Sequence, residues 1–134
     1  MPATATESLP IGSSDDVVLV RQRVRELAIM LGFRLVDQTK LVTAASELAR
    51  NTLTHGRGGG VQIIPLLDGP KKGLRLIFED QGPGIPDIAR ALTDGFTTGG
   101  GLGLGLGGSK RLCNEFSVES EPGRGTRVMI ARWA

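Results

Sequence analysis

Hydrophobic positions along the chain follow two periods. Val17, Val20, Val24, Leu27 and Leu31 recur in steps of three and four, which sets them on one face of an α-helix. Ser13 and Ser14 precede Asp15 and Asp16, giving hydroxyl caps and then acids where a helix start favours both. Gly32 sits where a C-terminal glycine cap belongs. The β-branched run Val17–Val20 would also suit a strand, but the unbroken helical spacing favours the helix. A second helix is predicted from about Asp37, as its cap, to His55 and Gly56, with Leu41, Ala45, Leu48 and Thr52 along one face.

Elsewhere the period is two, or the apolar runs are short. Val61–Leu67 reads as a strand, Asp68-Gly69-Pro70 with Lys71 and Lys72 as a turn, and Leu74, Leu76 and Phe78 as the second strand of a hairpin. That strand ends at Asp80, where Gln81-Gly82-Pro83-Gly84-Ile85-Pro86 breaks the ladder. Leu9–Ile11 forms a short strand that Pro10 confines to a sheet edge. Short helices are expected over Asp87–Leu92 and Ser109–Asn114. A last hairpin joins Phe116–Ser120 to Thr126–Trp133 through Glu121-Pro122-Gly123-Arg124-Gly125.

Hairpins flanked by grouped helices predict an α+β fold: a two-layer α/β sandwich on a mixed, mostly antiparallel sheet with helices on one face. A chain of 134 residues holds one such domain, expected over 9–134 behind a flexible N-terminus of residues 1–8. No apolar run approaches the roughly 20 residues of a membrane-spanning helix, and Met1–Thr6 lacks a secretory pattern. One cysteine, Cys113, leaves no internal disulfide and suits a reducing compartment, so a cytoplasmic location is expected. The net charge is +2 with scattered basic residues. Phe33, Phe78, Phe96, Phe116 and Trp133 stand apart in apolar contexts. Neither a nucleic-acid surface, which wants a dense basic face with stacking aromatics, nor a membrane partner is indicated.

Three features carry possible chemistry. Glu47 and Asn51 lie one turn apart on the same helix face. Glu47 can accept a proton, and Asn51 offers a neutral oxygen that suits magnesium. Taken alone, this pair is better explained as a plain polar surface. Asp80 closes an otherwise apolar strand and leads into Gly82-Pro83-Gly84. It can accept a hydrogen bond from an exocyclic amine, and the glycines admit a flat group close to the backbone. The same residues also make an ordinary turn.

Glycine accounts for 20 of the 134 residues, and seven of the ten from Gly99 to Gly108. Many amides without side chains, leading into a helix, make an anion site for phosphates. Leu102, Leu104 and Leu106 between the glycines favour a loop that orders in some state over a plain linker. Gly103, Gly105 and Gly108 satisfy G-x-G-x-x-G, but the strand-first context of a dinucleotide fold is missing. No Gly-Lys-Ser/Thr follows, so the P-loop pattern fails. His55 reads as a helix-end residue and Cys113 as a small core residue.

The order of these weak signals is specific. Glu47-Leu-Ala-Arg-Asn51, Asp80-Gln-Gly-Pro-Gly84, Gly101-Leu-Gly-Leu-Gly105 and Gly125-Thr126 resemble the N box, two glycine boxes and terminal glycine-threonine element of the GHKL (Bergerat-fold) ATPase superfamily. Ser46-Glu-Leu-Ala-Arg-Asn51, Glu79-Asp-Gln-Gly-Pro-Gly-Ile-Pro-Asp-Ile88, Asp94-Gly-Phe-Thr-Thr98 and Lys110-Arg-Leu112 resemble its RsbT-type serine/threonine switch kinases of bacterial stressosome modules.

The resemblance implies an ATP fold with a mobile lid, unordered without nucleotide. It implies Asp80 at the adenine amine, with Gly82, Gly84 and Ile85 beside the ring and Thr126 supporting the pocket. Asn51 would hold Mg2+ and contact the nucleotide, and Glu47 would act as general base. Gly99, Gly100, Gly101, Leu102, Gly103, Leu104 and Gly105 would wrap the phosphates, with Lys110 neutralising them. The implied substrates are STAS-domain scaffold or antagonist proteins, whose phosphorylation frees the kinase, a monomer when free, to activate a downstream phosphatase or other output. The Gly-Leu-Gly-Leu-Gly lid lacks the small residue often found between its later glycines, a departure that bears on closure. A nucleotide-gated, anti-sigma-like binding protein with incidental kinase activity is the alternative.

Overall fold

The computed structural model describes residues 5–85 and 105–134. Five strands form one sheet in the order β1-β2-β3-β5-β4: β1 Glu7–Ile11, β2 Gly59–Asp68, β3 Lys71–Asp80, β4 Glu115–Glu121 and β5 Gly125–Trp133. The pattern leaves a mixed sheet open; all four observed pairings are antiparallel. Short hairpin turns join β2 to β3 and β4 to β5, a connection only antiparallel neighbours allow. β1 lies on the edge, as Pro10 requires.

Register lines up the inward side chains in rows. Leu9, Val61, Phe78, Val128 and Val118 face one another across all five strands. The next row runs Glu7, Ile63, Leu76, Ile130 and Phe116. Helices α1, Ser14–Met30, and α2, Leu35–Thr54, cover this face. Val20, Val24 and Leu27 of α1 and Leu41, Ala45 and Leu48 of α2 join the strand residues in one core. Ser13 caps α1 by accepting the Asp16 N–H at 3.2 Å, and Gly32 ends it with φ +84°.

Two helix boundaries differ from expectation. Asp37 is not the cap of α2, which starts at Leu35 with Arg34 in the cap position. The Asp37 carboxylate is drawn across to β5 instead, where Arg132 Nη2 donates to it at 2.6 Å. A third helix, α3, spans Gly105–Arg111 and so begins four residues before the expected Ser109. Leu106 inserts into the core, and buried Gly107 and Gly108 let the helix lie close to α2. It stops before Asn114 because that residue's N–H is already taken by Ala131 O, at the head of the β4–β5 ladder. Among the described residues no helix is long and apolar enough to cross a membrane.

Candidate active site

The row of cross-strand partners beyond Leu9 and Val61 changes character. It reads Ile11, Gly59, Asp80, Thr126 and Ser120, so a carboxylate and two hydroxyls share the helix-covered face at one end of the sheet. Asp80 is 9% exposed, and its Oδ1 accepts the Gly82 N–H at 2.9 Å. The end of α2 packs directly onto it. A Cβ on Gly56 would overlap Asp80 Cγ, and one on Gly82 would sit 2.7 Å from Gly56 Cα. Helix end, strand end and following loop therefore meet with no room for a methyl group.

The loop after Asp80 is anchored to the β4–β5 hairpin. Gly123 donates its N–H to Pro83 O at 2.8 Å, and Ile85 donates its own to Ser120 Oγ at 2.7 Å. Gly84 adopts φ +81° with its Cα against the Glu121 carbonyl. Gly125, at φ +91°, lies against the Asp80 carbonyl. Any side chain at either position would collide with backbone, so these glycines let two chain segments touch. Ser120 Oγ lies 2.8 Å from Thr126 Oγ1 and 3.1 Å from Gly125 O.

Along α2, the Asn51 carbonyl accepts the Gly56 N–H at 3.2 Å, immediately before the contact with Asp80. Glu47 lies one turn further back, about 6 Å along the axis. It is 7% exposed, and Arg50 Nη1 stands 3.4 Å from its Oε2. The Cys113 thiol is pushed up to about 11 by burial, so it stays protonated near neutrality and is a poor nucleophile.

The fold thus gathers Asp80, Gly82, Gly84, Ile85 and Thr126 at one end of the sheet, with Asn51 and Glu47 leading away along α2. Gly105 opens α3, and Lys110 is exposed near its end. Gly99, Gly100, Gly101, Leu102, Gly103 and Leu104 lie outside the described residues, as do the expected helix Asp87–Leu92 and the segment Asp94–Thr98. Two participants escaped the sequence reading. Gly56 looked like a simple helix end. Ser120 carried a legible signal: it continues the inward parity of Phe116 and Val118, placing a hydroxyl where an apolar residue would be expected.

A buried carboxylate and glycine-lined turns beside a helix that carries a second carboxylate can recognise an amine-bearing ring and reach along to its polar tail. A family model described as histidine kinase-, DNA gyrase B- and HSP90-like ATPase matches residues 36–133. The chain belongs to this ATPase family.

Within the family, it is 51% identical over 118 residues to the serine/threonine-protein kinase RsbT of Bacillus subtilis, covering 88% of this chain and 89% of that one. It is 30% identical over 129 residues to the anti-sigma F factor of a Thermoanaerobacter species, covering 92% and 89% of the two chains. The fold matches a structure of the RsbU and RsbW domains of a Mycobacterium tuberculosis protein with a TM-score of 0.64 at 20% identity, over 96% of this chain and 32% of that one. A mycobacterial sensor histidine kinase, MprB, matches with a TM-score of 0.55 at 20% identity, over 96% and 97% of the two chains.

Proposed function

We propose that this chain is an ATP- and Mg2+-dependent protein serine/threonine kinase of a partner-switching module, working in the cytoplasm. Its substrates are serine or threonine residues of STAS-domain scaffold or antagonist proteins. Once phosphorylation has freed it, it activates a downstream phosphatase or other output protein. The observation that carries this reading is the 51% identity to RsbT over 118 residues. The anti-sigma alternative has weaker support, at 30% identity.

The residues fit a nucleotide. Asp80, an acceptor on both oxygens, takes the exocyclic amine of adenine. The space left by the absent side chains of Gly82 and Gly84 seats the ring's face and edge. Thr126, directly across the ladder from Asp80, reads the neighbouring ring atom. The phosphates lie toward Asn51 and Glu47, which precede the end of α2 at Thr54 by about 5 and 10 Å along its axis. Lys110 and the glycine run Gly99–Gly105 are the proposed phosphate contacts.

The donor set also fits magnesium. Among the described residues no group of three His, Cys, Asp or Glu is built to hold a metal unaided. A bound cation would take one side-chain oxygen, from Asn51, and its other ligands from phosphate and water. When bound, the ion offsets charge that develops on the transferring phosphoryl group. Glu47, oriented by Arg50, accepts the proton of the incoming hydroxyl.

The test is transfer of labelled γ-phosphate to purified STAS-domain proteins encoded beside this chain. Wild type should label one serine or threonine, and Glu47→Gln should be slower by about 10²–10⁴-fold while still binding ATP. Equal rates would remove Glu47 from the mechanism. Nucleotide binding without transfer to any such protein would favour the anti-sigma alternative.

A further inference from the structure

We infer that Ser120 is a positioning residue that sets the hydrogen-bonding face of the base pocket, acting through Thr126 and Ile85. The inference rests on the nucleotide site proposed above and adds a residue to it.

Ser120 Oγ has one proton and two lone pairs. One lone pair is committed, because the Ile85 N–H points at it from 2.7 Å. The proton then has two destinations, Gly125 O at 3.1 Å or Thr126 Oγ1 at 2.8 Å. If it goes to Gly125, Thr126 spends its own proton on Ser120 and offers only lone pairs to the pocket. If it goes to Thr126, the Thr126 proton is released into the pocket. Ser120 thus decides whether the hydroxyl opposite Asp80 donates or accepts.

The two settings suit different ligand edges. Asp80 accepts hydrogen bonds in either case, and Thr126 is its partner across the ladder on the same face. With Thr126 donating, the pair presents an acceptor beside a donor. That matches a 6-aminopurine edge, an amine next to a bare ring nitrogen. A 6-oxopurine reverses both positions and leaves the buried Asp80 carboxylate facing an oxygen, so it is rejected. The 2.8 Å contact between the two hydroxyls serves both settings, whereas the accepting one also needs the longer 3.1 Å donation to Gly125 O.

The same oxygen holds the loop. The Ile85 N–H to Ser120 Oγ and the Gly123 N–H to Pro83 O hydrogen bonds tie the 81–85 loop to the final hairpin. Removing the Ser120 oxygen releases Ile85 and frees Thr126 to turn.

The experiment measures ADP and IDP affinities by calorimetry for wild type, Ser120→Ala, Ser120→Thr, Thr126→Val and the double variant Ser120→Ala/Thr126→Val. Amide exchange at Ile85 is followed without nucleotide. Wild type should prefer ADP, and Ser120→Ala should weaken ADP about tenfold while changing IDP little, so that selectivity narrows. Ser120→Thr, which keeps the hydroxyl, should restore selectivity. The double variant should lose no more than the worse single one, because both changes break one relay. Ile85 exchange should accelerate in Ser120→Ala alone among the single variants.

Equal weakening of ADP and IDP by Ser120→Ala, or fully additive losses, would overturn the inference and leave the nucleotide site standing. Unchanged Ile85 exchange would remove the loop-holding role. Wild type binding neither nucleotide would overturn the site itself.

Discussion

Gly56 shows how a single hydrogen in place of a methyl group builds this site. Its Cα approaches Asp80 so closely that a Cβ would overlap the carboxylate carbon. Gly56→Ala should push the end of α2 off β3, costing about 1–3 kcal/mol of overpacking and weakening nucleotide binding. Gly32 makes a clean comparison: its φ is +84°, yet nothing lies within 4 Å of where its Cβ would be. Gly32→Ala should cost only the left-handed backbone penalty of about 1–2 kcal/mol and leave nucleotide binding unchanged. Urea unfolding and ADP titration of both variants measure this. Equal loss of affinity in the two would mean that stability, and not the Gly56 contact, governs the site.

Among the elements, β1 depends most on a side-chain tie. Among the described residues it pairs only with β2, and from α1 Arg23 clasps its Glu7 through both carboxylate oxygens at 2.7 and 2.6 Å. The Arg23 hydrogen bond holds the Glu7 carboxyl below its ordinary value, against the opposing effect of burial. The folded protein therefore binds this proton less readily than the unfolded chain does. Its stabilisation is complete above the ordinary carboxylate range and fades as pH falls through the lowered value. Glu7→Gln should lower the urea midpoint at neutral pH, and the gap from wild type should narrow as pH falls below the ordinary carboxylate range. A gap that persists in acid would mean that the clasp stabilises through shape rather than charge. Asp37 is lowered in the same direction by Arg132, whose second amino group donates to Leu112 O at 2.9 Å. One guanidinium thus joins α2, the chain after α3 and β5.

At the scale of the molecule, the sheet order grades stability from the centre outward. β3 is paired along its whole length with β2 on one side and through Asp80 with β5 on the other, whereas β1 and β4 are edges. Native-state amide exchange should be slowest at Leu74, Leu76 and Phe78 and fastest, among strand amides, in β1. Similar protection in β1 and β3 would show that the sheet opens only as a unit. On that grading Asp80, at the end of β3, would sit on the last part of the molecule to open, and the 81–85 loop held by β4 would open earlier.

Much of this was legible in the chain because it is governed by local rules. Helical spacing from Val17 to Leu31, the Ser13 cap, the Gly32 stop and the turn at Gly69-Pro70 each act within a few residues, and the structure contains them. Asp68, Lys71 and Lys72 of the expected turn belong instead to the paired strands. Glu47, Asn51 and Asp80, each ordinary on its own, could be named because the order of their short motifs along the chain resembles a family pattern. Contacts that bring distant segments together were another matter. Arg132 draws Asp37 out of the cap position across 95 residues, and Ile85 finds Ser120 across 35. Gly107 and Gly108 are helical where α3 packs beside α2. The sequence by itself determined the elements, the direction of their apolar faces and the chemistry of the candidate residues. Only the tertiary structure decided that Gly56 touches Asp80 and that Ser120 meets Thr126, since close approach depends on backbone packing that no local pattern encodes.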